Sequence, residues 1–547
     1  MNSSTKAKKS KQAKRTNRPK QPRFTPEHIE QLPKPRTEGG LLAREIILQA
    51  LAAEGLNRKA RRELRSALRS FSILEEAIEK YMPGLIDSLR SIENYDKRVG
   101  ATHSMASVLV KQVLGFALRA QSSCDMDERV FADECGASFI YSLIDEVPKE
   151  CLPHQKTCRD AIALSLNAID IAELKVALVR SLMSDPAIQS MRQMPQWEVA
   201  IDGTQEHSYG RERHCDYCLT RTHNKKKGGE EKGQGQAALP EGEAQPIHSK
   251  KKEKEEWTEH YHGVCEAKLI VGGMAISLLS IQMKGSDGSN KQECELSALG
   301  KMLACLGFYY PGEQFVLLMD ALYVSRPAID EILHYGYDYI IRYKDACACT
   351  IENHFRESPD AVRFEPSLPQ KKADCLMPPV SGFANNISFS IASEESALKK
   401  LSLAERQQKR RTVNICEYIE YFEDKNGDLW FRGFTYITSL EITKENCIDI
   451  IWGGRRRWQI EEVFFLQKCF HGMEHVWSKD RNTNECMNEL LQIGYMLIQL
   501  VALGLRAAVE AMGLKYVINA LLDAVRFGSE AFAYAIAEAE AEYLWAA

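Results

Sequence analysis

The sequence has no apolar segment near its start. Its first 25 residues, MNSSTKAKKSKQAKRTNRPKQPRFT, contain no hydrophobic run of the kind a secretory signal needs, so none is expected. A membrane-length run is missing further on as well. The most apolar stretch, LLQIGYMLIQLVALGL at 490–505, is short for a span and contains Gln492 and Gln499. It predicts a buried core helix and no membrane partner. Net charge is also scarce: Lys and Arg total 71 against 75 Asp and Glu, giving −4. The total therefore argues for no polyanionic partner, but the distribution does. The opening 25 residues carry many Lys and Arg and no acid, while FGSEAFAYAIAEAEAEYLWAA at the end is acidic. A basic arm of this kind suits nucleic acid, and a solvated disordered tail is the alternative. Sixteen cysteines without a signal point to reduced thiols in a cytosol.

With 547 residues the chain can bury a large core, in roughly two to four structural units. Residues 1–40 read as a basic, disordered arm. From 41 to 190 apolar residues recur at three and four, as in DAIALSLNAIDIAELKVALVRSLMS, which predicts an all-helical region. The texture changes at QWEVAID (196–202), a short apolar run ending on an acid. Two strands around a Gly-Gly turn follow at 264–284, then a helix at 294–310, the strand EQFVLLMD at 313–320, the helix RPAIDEILHYG and the strand YDYIIRYK. Three strands, helix, strand, helix, strand make an α/β class with a mixed sheet covered by helices, over 196–344. The charged, low-complexity stretch 224–256 is a flexible loop within it. Residues 345–450 read as a mostly β insertion with KNGD as a hairpin turn; helices follow over 451–510 and in a tail over 511–547.

Asp202 and Asp320 each close an apolar strand. Aspartates there can hold a hard divalent cation through oxygen, and carboxylates brought together repel unless a cation intervenes. Aspartate is equally an ordinary residue for a turn after a strand. The stretch RRRWQIEEVFFLQK (455–468) adds a glutamate in helical context. Arg457, Glu461 and Lys468 follow in steps of four and seven, which puts all three on one helix face. Glu462 points about 100° away. Ile460, Phe464 and Phe465 would seat this helix on the sheet. A solvated row of salt bridges has the same spacing.

AIDGT, LLMDALYVSRPAI and RRRWQIEEVFFLQK resemble the three acid motifs of DDE transposases, the enzymes of insertion-sequence family four and its relatives. The third motif of that family runs Tyr, two residues, Arg, three, Glu, six, Lys. Arg457, Glu461 and Lys468 match it, and Gly454 stands where the tyrosine would be. The resemblance extends over 197–505 and is only architectural before that. It implies an RNase H-like catalytic domain with a β insertion, preceded by a helical DNA-binding and dimerisation region. It implies that Asp202, Asp320 and Glu461 hold two Mg²⁺ ions, with Mn²⁺ as a substitute, for hydrolysis and strand transfer at phosphorus. Arg457 and Lys468 would clamp DNA phosphates. Trp430, in the insertion, would stack on a base flipped from the DNA end, although an ordinary sheet aromatic reads the same way. The expected partners are terminal inverted repeats and target DNA, with a homodimer as the active form. The expected setting is cytoplasmic and nucleoid-associated, in a prokaryotic-type cell. A nuclease without strand transfer and a silent DNA-binding descendant remain as alternatives.

A second constellation lies in HCDYCLTRTH and HYHGVC. Cys215, Cys218, His260 and His262 are the ligand types of a tetrahedral structural zinc site, with His214, His223 and Cys265 as competitors. Free cysteines beside surface histidines are the other reading.

Overall fold

In the computed structural model of the protein, the structure describes residues 78–504 except 81, 93–95, 132–136, 138–139, 142, 148–150, 214, 216, 226–254, 287–291, 345–354, 367–377, 390–401, 403–410 and 424–426. The expected basic arm, the helical tail and most of the expected flexible loop thus lie outside the described residues.

The described chain opens with helices α1 (Leu85–Ser91), α2 (Met105–Ala117), α3 (Gln155–Ser165) and α4 (Ala168–Met183). Ser104 caps α2 by accepting from the Ser107 amide, and Asn167 with Asp170 forms a capping box on α4. Every residue of α2 is buried, so this helix is core on all sides.

Strands β1 (Trp197–Gly210), β2 (Leu219–Lys225), β3 (Glu255–Val271) and β4 (Met274–Gln282) come next. Gly272 and Gly273, at φ 56° and 82°, make the two-residue turn that joins β3 to β4, a backbone conformation open to glycine. Helix α5 (Glu295–Tyr309), β5 (Phe315–Met319), α6 (Arg326–His334) and β6 (Asp338–Tyr343) complete this part. They are followed by β7 (Val362–Phe364), β8 (Val380–Phe389), β9 (Arg411–Glu423), β10 (Leu429–Thr438), α7 (Cys447–Arg456), α8 (Trp458–Phe470) and α9 (Arg481–Gly504).

All of these strands belong to one mixed sheet in the order β2-β3-β1-β5-β6-β10-β9-β8-β7, with β4 also paired to β3. β1, β5 and β6 run parallel, while the pairs on either side of them are antiparallel. The run FVLLM is buried at every position, as a parallel strand covered on both faces requires. The mixed α/β class expected from element order is what the chain forms. The described strands of 345–450 join this same sheet. β10 zips onto β6, with Thr435 opposite Tyr343, and carries β9, β8 and β7 outward.

Helix α9 is long and apolar enough to cross a membrane by length and composition, yet 83% of its apolar window is buried inside the protein. Its glutamines explain the placement. Gln499 accepts from the Ala275 amide at 2.8 Å and Gln492 accepts from Lys268 Nζ at 2.8 Å, so both side-chain oxygens bond to the sheet.

Three expectations need correction. β1 does not end at Asp202. Its parallel pairing with β5 ends at Ala200 opposite Leu318, but antiparallel pairing with β3 carries it on to Gly210. RRRWQIEEVFFLQK is not one helix. Arg457, whose backbone stays right-handed helical at φ −48° and ψ −35°, joins α7 to α8 and leaves only Glu461 and Lys468 within the second helix. Finally, Phe465 is 61% exposed; Ile460, Val463 and Phe464 seat α8 instead.

Candidate active site

Asp202 lies on β1 opposite Glu266 of β3, just beyond the last β1–β5 pair. Asp320 follows the last residue of β5, where its side chain accepts from the Leu322 amide at 2.8 Å. The parallel strands therefore deliver both aspartates to the same end of the sheet. Glu461 reaches this place from the first turn of α8. The Arg457 guanidinium lies between two of these acids: Nη1 donates to Asp202 Oδ2 at 3.1 Å, and Nη2 pairs with Glu461 one helical turn on. With side-chain exposures of 13% for Arg457 and 16% for Asp202, this contact is largely shielded from solvent screening.

Electrostatics ties the remaining acid to the group. Burial pushes the Asp202 carboxyl up to about 7; Arg457 pulls it back down, and Glu295, Asp320 and Glu461 add to the rise. Glu295 was not singled out from sequence. It begins α5, where a glutamate is an ordinary partner of the helix dipole, so its sequence position carries no signal. Burial raises its carboxyl and so does Asp320, against the Gly203 backbone and Arg457. Gly203 makes the approach feasible, since a Cβ there would stand 2.5 Å from Glu295 Oε1.

Other expected residues fall differently. Glu462 is exposed, as the helical geometry requires of a bystander. Lys468 does not join the acids. Its electrostatic neighbours are Glu474 and Glu206, and burial lowers its pKa. It is three turns along α8 from Arg457. Trp430 is 47% exposed on β10 and stacks on Phe422 at 4.4 Å between ring centroids, with exposed Leu429 and Phe431 alongside.

Gly454, which departs from the motif, has a structural reason. A Cβ there would run into the Tyr436 ring, with Cζ at 2.8 Å. An aromatic ring from β10 fills the space into which a side chain at 454 would point.

The second constellation is only partly assembled as expected. Cys215, Cys218 and His262 converge, their ligand atoms within 4.8 Å of one another. His260 is outside this group, although it shares the strand with His262; its Nδ1 is buried without a hydrogen-bond partner. Pairing with Gly210 and Thr220 fixes His260 at the β1–β3–β2 junction, one residue pair away from the cysteine turn. His223 is bonded to Glu259 at 2.7 Å and so does not compete. Cys265 is buried on the strand, opposite Gly203. The acids form no comparably tight group: among the described residues, the thiol–imidazole cluster is the one set of three or more metal-ligand types that converges to that distance.

No protein-family model and no curated protein matches the chain. Among solved structures, it is similar to the cryo-EM structure of a piggyBac transposase synaptic complex with hairpin DNA, at 10% sequence identity and a TM-score of 0.30, covering 85% of this chain and 80% of that one.

Proposed function

We propose that the protein is a metal-dependent DNA transposase of the DDE type, with Asp202, Asp320 and Glu461 as its metal-holding carboxylates. The observation that carries this reading is the meeting of acids from three separate elements, β1, the end of β5 and α8, around one guanidinium. They are also the acids of the three motifs that resemble this enzyme class. The sheet order, an antiparallel set joined through β1 to parallel β5 and β6, supports an RNase H-like catalytic core.

The donor set suits a hard dication. Four carboxylates at one sheet end, two of them raised by burial, lack enough positive charge from a single arginine. Bound there, two Mg²⁺ or Mn²⁺ ions would activate the attacking hydroxyl and neutralise the leaving oxygen of an in-line displacement at phosphorus. Arg457 then has to release Asp202 and Glu461. A freed guanidinium at this position can grip a phosphate of the DNA with two parallel hydrogen bonds. Gly203 gives the Glu295 carboxylate room to stay beside the group. Trp430 and its exposed neighbours offer an aromatic surface on the β10 edge for an unstacked base.

The test uses DNA that carries the ends of the mobile element, with Mg²⁺. Asp202→Ala, Asp320→Ala and Glu461→Ala should each abolish cleavage and retain DNA binding. Joined products identify strand transfer; hydrolysis alone would make the protein a nuclease of the same site chemistry. Cleavage that survives all three substitutions would refute the assignment.

A further inference from the structure

The turn between β1 and β2 is built as a thiol knuckle. β1 ends on Gly210 at φ 69°, and the chain folds back so that the Cys218 amide reaches the Cys215 carbonyl at 3.4 Å. Arg213 Nε also donates to the Cys215 carbonyl, at 3.0 Å. Neighbouring chain clamps the turn from outside. The Gly285 amide donates to the Tyr217 carbonyl at 3.1 Å, and a Cβ on Gly285 would collide with the Cys218 backbone. The Arg481 guanidinium, at the start of α9, sits 4.0 Å from the Tyr217 ring centroid.

Within this frame the two sulfurs are 3.5 Å apart, and His262 Nε2 lies 3.0 Å from Cys215 Sγ and 3.7 Å from Cys218 Sγ. Around a tetrahedral zinc with Zn–S near 2.3 Å and Zn–N near 2.0 Å, neighbouring donors stand about 3.5–3.8 Å apart. The three donors thus already occupy close to three corners of such a site. We infer that Cys215, Cys218 and His262 bind one zinc ion, which fastens the β1–β2 turn to β3 and lies beside α9. Next to it stands His207, its ring centroid 4.8 Å from that of His262 and its Nε2 3.1 Å from the Tyr209 hydroxyl. Tyr209 thus holds one nitrogen of His207, as outer partners of metal sites do.

This inference is independent of the nuclease reading; it needs only the knuckle and β3. Its consequence is local. The pairing of β1 with β3 is irregular between Gln205 and Gly210, between the candidate acid and the knuckle. A zinc ion fastens the far side of that irregular stretch.

The test is zinc content and coordination in the full-length chain, purified under reducing conditions. About one zinc per chain is expected, with X-ray absorption showing two sulfurs near 2.3 Å and the remaining ligands near 2.0 Å. Cobalt titrated into the metal-free chain should give thiolate charge-transfer absorption and a tetrahedral ligand-field spectrum. Cys215→Ser, Cys218→Ser and His262→Ala should each cut retained zinc at least about tenfold, the loss expected on removing a direct ligand, whereas His260→Ala should keep it. Zinc-free wild-type protein with both thiols intact after zinc supplementation, or a Cys215–Cys218 disulfide in freshly purified chain, would overturn the inference. So would a cobalt spectrum without thiolate bands, a measurement that needs no variant to fold.

Discussion

At the scale of single residues, the site depends on two glycines as much as on its acids. Gly203 leaves space for the Glu295 carboxylate beside Asp202, and Gly454 leaves space for the Tyr436 ring under α7. The second can be tested without any knowledge of substrate. Gly454→Ala places a Cβ inside the Tyr436 ring, so either the ring or α7 must shift. Overpacking of this kind costs about 1–3 kcal/mol. Thermal unfolding should report a lower midpoint for Gly454→Ala, and Tyr436→Ala in the same chain should relieve the clash, making the two changes less than additive. A Gly454→Ala midpoint equal to wild type would mean that Tyr436 does not occupy that space.

His471 gives a pH signature at the same scale. It is buried with Nδ1 2.6 Å from the Phe116 carbonyl, and burial lowers its pKa to about 4 from an ordinary value of 6.5. The unfolded chain therefore binds a proton on this side chain that the folded chain refuses between those two values. The stabilising contribution is fully present above about pH 6.5 and is lost as pH falls towards 4, at most about 3 kcal/mol. His471→Gln should be less stable than wild type at pH 7, and the gap should narrow steadily as the pH of the melt is lowered to 4. A gap that is constant over this range would show that His471 is not held neutral.

Among the elements, the packing of α4 and α9 on β3 and β4 relies on buried charge. Lys268 bonds Glu266 at 3.1 Å and Gln492 at 2.8 Å, while Lys175 pairs with Glu489 at 2.7 Å and reaches Ser277 at 3.0 Å. Burial pushes Glu266 up, but the ammonium groups of Lys268 and Lys175 outweigh it and hold the carboxylate ionised. Removing one partner strands the other. Lys268→Met should cost about 3–5 kcal/mol in denaturant unfolding, and replacing Glu266 and Lys268 together by apolar residues should recover much of that. If Lys268→Met unfolds at the wild-type midpoint, the network carries no stability.

The elements also show what sequence pattern can and cannot convey. Period and turn chemistry placed β3, the Gly-Gly turn, β4, α5, β5, α6 and β6 in order, because each is a strongly apolar run bounded by polar or glycine residues. The junction at Arg457 leaves no mark in the sequence, since Arg-Arg-Arg-Trp-Gln is compatible with an unbroken helix and Arg457 itself keeps helical dihedrals. Lys268 and Glu266 read as polar positions of a strand; that they face α9 is set by contacts remote in sequence. The same holds for the candidate sites. Asp202, Asp320 and Glu461 stood out by motif, and the cysteine pair by spacing. Glu295 was hidden at a helix start, where acids are commonplace, and His260 seemed equivalent to His262 because strand alternation cannot say which of two like-facing rings meets the knuckle.

For the molecule as a whole, one sheet carries two separate clusters of ligand-type side chains. Asp202 and Asp320 come together at the end of β5, and the turn after β1 with His262 of β3 brings together two thiols and an imidazole. Strands β7–β10 widen the same sheet and set the exposed Trp430 on its extension.

The measurement closest to the central claim compares Glu461→Ala and Glu462→Ala in Mg²⁺-dependent cleavage of DNA bearing the element's ends. The two glutamates are adjacent, carry the same charge and lie on the same helix, but only Glu461 pairs with Arg457 next to Asp202. A metal-holding role for Glu461 predicts that Glu461→Ala loses cleavage by at least about a thousandfold, as removal of a group essential to the reacting site does, while Glu462→Ala cleaves within a few-fold of wild type. Loss of cleavage in Glu462→Ala with activity retained in Glu461→Ala would contradict the account.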